Sequence, residues 1–256
     1  MGKEPVDKSR NPTTGKEHLQ LLQWTIQALI EKAEELKFAK ENRIDLWLVL
    51  LYASILELAN SACHLISSTE PTGCRTLTRM ALEAYVDLSN LMSDDDYVNY
   101  LDVGSLEEWQ KTFKLAEAGN IYFKSLCDEP GFHEEVASEA ERLASLRDNG
   151  YRMLRVRERF ERANMGDDYQ GVYHWLCSDT HNSLRGMSLR HIEYLDNQSY
   201  EIHILKDGSV DAQLPIMSVL LGYLIESSKL IHARFGKGQD ALQDIDAKVL
   251  AIGEMH

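Results

Sequence analysis

Arg79 and Glu83 stand four residues apart in an apolar run that carries Leu77, Met80, Ala81 and Leu82. On a helix this spacing puts both side chains on one face, within ion-pairing reach. A charge among apolar neighbours is costly unless paired, so Glu83 is expected to pair with Arg79, and removing one partner of a buried pair costs about 3–5 kcal/mol. His64 lies near the end of another apolar segment, and His181, Asn182 and Arg185 end a segment that begins near Tyr169. Arg79, Glu83 and His64 are therefore expected binding residues, with His181 within hydrogen-bonding reach of the pair or of His64. Such a cluster is either a structural polar network or a site.

Two further chemistries could use His181. Cys177 and His181 share a helix face, and Cys63 or His64 from another helix would complete a zinc set. The plainer alternative is a buried thiol beside a hydrogen-bonded histidine. The four cysteines form no CxxC pair, and no Glu-x-x-His pairs of di-iron bundles occur, so neither metal nor cofactor is expected. No P-loop, GxSxG, HExxH or GxGxxG is present. The second chemistry is metal-independent RNA cleavage. A histidine would deprotonate the 2′-hydroxyl or protonate the leaving oxygen, and an arginine would stabilise the developing phosphorane charge. His181 or His191 would be the acid–base residue and Arg185 the clamp.

The segments RTLTRMALEAYVDLSNL (75–91) and YHWLCSDTHNSLRG (173–186) resemble two signatures of the bacterial domain-of-unknown-function family 5677. That family shows an Arg-x-x-x-Glu helix and a later Tyr-x-x-Leu-Ser helix ending in His. Those positions fall on Arg79, Glu83, Tyr173, Leu176 and His181, with Cys177 where Ser is usual. The resemblance covers about 45–235. It implies a helical fold, adds Tyr173 to the binding set and brings no established activity. The spacing of Arg185 and His191, five residues between them, is similar to that of HEPN-type helical ribonucleases. With nine His and fourteen Arg in the chain, chance alone supplies about 1.5 such matches.

The elements that must position these groups are helices. Five prolines and fifteen glycines in 256 residues leave room for long ones. Residues 1–15 read as a tail. Thr14 with Glu17 forms a capping box, followed by a seam of Leu19, Leu22, Ile26, Leu29, Ala33 and Leu36 suited to a bundle or dimer contact. Ile44–Ser67 is apolar nearly all round in its first half, as in a central buried helix. Helices are expected over 74–92, 96–103, 105–126, 132–164 and 169–184. Period-two alternation at Ile192, Tyr194, Tyr200, Ile202 and Ile204 predicts a hairpin near 190–205. Pro215 opens another helix, ending near Phe235, and a weak terminal helix follows. The fold class is all-α, a multi-helix bundle with a small two-stranded β-hairpin, in a single helical domain over 16–256.

The net charge of −14 sets the whole against polyanions. The run Arg142, Arg147, Arg152, Arg155, Arg157, Arg159 and Arg162 is interleaved with Glu139, Glu141, Glu158 and Glu161 and reads as a solvated helix face. Unpaired cysteines and the lack of an apolar leader point to a reducing cytoplasm. The longest apolar stretch, Ile44 to Tyr52, carries Asp45 and is too short to span a bilayer, so no membrane partner is expected. The expected function is a regulatory or binding module, in bacterial stress or phage defence, acting as a homo-oligomer with a protein partner. The alternative is the HEPN-type ribonuclease, with RNA as substrate. The residues leave open whether the chain is an enzyme.

Overall fold

A computed structural model describes residues 14–69, 72–177, 184–195, 199–204, 208–236 and 242–253. They are overwhelmingly helical, with one two-stranded antiparallel sheet. The chain divides into two compact units: residues up to Ser89 together with those from Met165 on, and Asn90–Asn164.

In the first unit α1 (Gly15–Ala33) opens on the expected capping box. Thr14 N–H donates to Glu17 Oε2 at 2.8 Å, and Glu17 N–H to Thr14 Oγ1 at 3.3 Å. Gly15 N–H donates to Asp211 Oδ1 at 2.6 Å. A Cβ at Gly15 would sit 2.5 Å from that oxygen and 2.7 Å from the Asp211 backbone, so only glycine fits there. Asn42 caps α2 (Arg43–Ser67) through its side-chain oxygen. α1, α2 and α10 (Leu214–Phe235) pack on one another. The α1 seam supplies Leu22, Ile26 and Leu29 to this core, and Pro215 stands in the first turn of α10. Tyr52 and Ser228 share a buried hydrogen bond of 2.8 Å. Burial pushes the Tyr52 phenol up to about 12, against the lowering effect of Ser228.

α2 departs from expectation. Leu48, Tyr52, Ile55 and Leu56 are buried, but Leu46, Trp47 and Leu50 are exposed. α1 and α10 cover one side of it, so an all-apolar first half does not make it central. The apolar segment also runs on to Ser67. By length and hydropathy alone, Arg43–Ser67 and Asp211–Phe235 would each suffice to cross a bilayer; both here lie in the three-helix core.

α3 (Cys74–Ser93) leads out of the first unit. In the second unit α4 (Tyr97–Glu117) is continuous, not two helices meeting at Gly104. It ends where Gly119 takes φ +77°, with Gly119 N–H bonded to the Ala116 carbonyl and Asn120 N–H to Leu115. A 3₁₀ turn at Lys124–Asp128 follows. The helix expected over 132–164 divides into α5 (Phe132–Asp148) and α6 (Val156–Arg162). Gly150 at φ +87° closes α5 by the same motif, bonding Arg147, while Tyr151 bonds Leu146. α4 and α5 enclose Val103, Leu106 and Leu143 at one end and Phe113, Ala116 and Phe132 at the other. Most of the arginine run is ion-paired: Arg142 pairs with Asp102, Arg147 with Glu107, Arg152 with Glu158, Arg157 with Glu161 and Arg162 with Asp94.

Back in the first unit, α7 (Gly166–Asp168), a π-helical turn (Tyr169–Tyr173) and α8 (His174–Cys177) occupy the start of the segment expected as one helix. α9 (Leu184–His191) leads directly into β1 (Ile192–Tyr194), which pairs with β2 (Tyr200–Ile202), so the hairpin forms where alternation placed it. α11 (Gln243–Gly253) is the terminal helix.

Candidate functional site

Arg79 and Glu83 form their pair on a half-buried face of α3. Arg79 Nε donates to Glu83 Oε1 at 2.8 Å, with 21% and 20% of the side chains accessible. The pair is therefore only partly buried, and losing one partner costs less than the 3–5 kcal/mol of a fully buried one. Tyr173 reaches the same carboxylate oxygen, its hydroxyl donating at 3.3 Å. The π-helical turn adds a residue to the helical repeat just before Tyr173, and such turns recur at functional sites.

The arginine also lies over the tyrosine ring, its Cζ 5.5 Å from the centroid. One turn earlier Arg75 lies over Trp175 at 4.9 Å. Arg75 and Arg79 on α3 thus each lie over an aromatic ring of the later segment, Trp175 and Tyr173 respectively. Each ring holds a guanidinium plane in place. Burial opposes the charge on Arg79, but the hydrogen bond and charge of Glu83 outweigh it and raise the guanidinium further. Burial pushes the Tyr173 phenol up, and Glu83 and Cys177 add to this while Arg79 opposes it. Tyr173 is therefore a neutral donor at physiological pH. The terminal amino groups of Arg79 have no protein hydrogen-bond partner among the described residues. Their fork suits a carboxylate or phosphate.

The other expected residues do not gather here. His64 is exposed, in the last turn of α2. Arg185 and His191 lie six residues apart on α9, which sets them about 120° apart around the helix. Arg185 is exposed, while His191 Nδ1 lies 2.9 Å from the His203 carbonyl and anchors the hairpin. His181 and Asn182, with the contacts expected of them, lie outside the described residues. Among the described residues no three His, Cys, Asp or Glu side chains converge to hold a metal ion.

Spacing alone does not single out Arg75 and Trp175. A separate cavity of about 420 Å³ is lined by Tyr85, Asp168, Tyr223, Glu226, Lys229 and Asp246 among others. Its charged groups are engaged: Lys229 with Glu226 and Asp246, Asp168 with the Tyr223 hydroxyl.

Residues 45–200 match the family of unknown function DUF5677, and the chain belongs to that family. Both segments that carry the α3–α8 cluster fall within the matched region. No curated protein and no solved structure matches the chain.

Proposed function

We propose that this chain is a binding module, and that the α3–α8 face carrying Arg75, Arg79, Glu83, Tyr173 and Trp175 receives the carboxylate or phosphate of its ligand. One observation carries this reading: the Arg79 guanidinium is fixed by Glu83 and the Tyr173 ring, yet its side chain is part-exposed and its terminal amino groups have no partner among the described residues. Arg75 and Arg79 bring two guanidinium groups to this face of a protein of net charge −14. That contrast focuses a small anion on the site, while the overall field disfavours long polyanions. The cysteines are free, which suits a reducing cytoplasm as its place of work. Bacterial stress or phage defence is the setting in which such a module is proposed to act.

The test is a thermal-shift titration at constant ionic strength with inorganic phosphate and with succinate. At a hundredfold excess over Kd a ligand adds about 2.7 kcal/mol of stability, or roughly 5–10 °C in a chain of this size. Arg79→Gln should abolish the rise, and Arg185→Gln should leave it intact. No rise with either anion, or an equal rise in Arg79→Gln, overturns the reading. Cleavage of RNA by the wild type that His191→Ala removes would replace it with the ribonuclease.

A further inference from the structure

The hairpin presents its apolar face to solvent. The register pairs Ile192 with Ile202, Glu193 with Glu201 and Tyr194 with Tyr200. Side chains of a directly opposed pair lie on the same face of a sheet. Ile192, Tyr194, Tyr200 and Ile202 therefore share one face, and Ile204 follows in the same alternation. Glu193 and Glu201 share the other, beside His203. An amphipathic ribbon of this kind ordinarily lays its apolar face on a core. Here Tyr194 is 70% exposed, Tyr200 57%, Ile202 69% and Ile204 87%. A lone two-stranded ribbon is at best marginally stable in water.

We propose that this face is the contact surface between two copies of the chain, related by a two-fold axis. Area supports a second copy. At roughly 200 Å² per full side chain, the four residues expose on the order of 600 Å². Paired across a two-fold axis, they would bury about 1,200 Å² in total, the lower end of the range for a specific interface. Charge supports it as well. A two-fold contact sets a patch against itself, so every charge in it meets its like. Among the described residues this face carries no ionisable group except tyrosine hydroxyls, and the glutamates that would repel stand on the opposite face. The net charge of −14 argues against an anionic membrane as the occupant. The exposed Leu46, Trp47 and Leu50 of α2 offer a smaller patch and serve as the control.

The experiment is light scattering and sedimentation on the full chain over a range of concentrations. The wild type should run at twice the 29.2 kDa chain mass. Ile202→Asp should run as a monomer with an unchanged circular dichroism spectrum, because the side chain is exposed in the protomer. Glu201→Gln and Leu50→Ser should remain dimeric, as should Arg79→Gln, which separates this proposal from the binding site. If Ile202→Asp precipitates, the double variant Ile202→Thr, Ile204→Thr should weaken the dimer by about tenfold or more. A wild-type monomer at every concentration overturns the proposal, as does a dimer indifferent to these substitutions or broken by Leu50→Ser. So does a monomer that floats with phosphatidylcholine vesicles.

Discussion

Thr25 is the plainest residue-scale test of how the core is built. It is fully buried on α1, and its hydroxyl has no hydrogen-bond partner among the described residues. An unsatisfied buried hydroxyl costs about 1–3 kcal/mol, and an apolar group of the same shape avoids that cost. Thr25→Val should therefore raise the melting temperature by a few degrees. A fall would mean that the hydroxyl is satisfied. The same intolerance of lone polar groups in apolar surroundings makes Arg79 and Glu83 legible from their spacing. Two charges on an apolar stripe demand a partner, and they find each other. Trp175 is not legible on those terms. It meets Arg75 after a π-helical turn that no residue spacing announces.

Helix starts are easier to read than helix ends. Thr14 with Glu17 and Pro215 mark starts through local chemistry, a side-chain acceptor or a preset φ, and both stand where expected. Ends in the second unit are hidden because apolar periodicity runs on across Gly119 and Gly150, whereas the backbone turns left-handed at both. Gly104 is the converse, a glycine that looks like a break inside a helix that never pauses. Gly104 and Gly150 together make a test. A Cβ at Gly104 would meet Met153 at 3.9 Å, ordinary contact, so Gly104→Ala should stabilise by about 0.5–1 kcal/mol. Gly150→Ala forces a side chain into φ +87°, and should destabilise by about 1–2 kcal/mol although nothing lies near the added methyl. Denaturant titration of both variants reads the two signs. Equal signs would mean that backbone angle does not separate the two glycines.

At the scale of the molecule, acid should loosen the fold before carboxylates titrate. His232 is buried in α10 with Nε2 unpartnered among the described residues. Burial holds its imidazole below the ordinary 6.5, with Glu35 opposing the shift and Lys32 adding to it. Folded, His232 stays neutral; unfolded, it takes a proton. Its contribution is present above pH 6.5 and is lost as pH falls below that value. The melting temperature should therefore drop between about pH 7.5 and pH 5, and His232→Gln should flatten that drop. Glu158 cannot mimic the effect, because the Arg152 hydrogen bond holds its carboxyl down to about 2. Parallel curves for wild type and variant would exclude His232 as the cause. The class of fold is legible from breakers and periodicity, whereas the split into two units is not, since it depends on contacts between distant stretches. The Gly15–Asp211 bond spans 196 residues and ties the first helix to the threshold of α10. The first unit is thus assembled from two stretches that flank the second in sequence. On the ribosome, Asn90–Asn164 emerges with all its internal contacts available, while α1 and α2 wait, apolar faces uncovered, for α10 to be made. Synthesis order and folding order therefore part company: the middle of this protein can finish before its beginning.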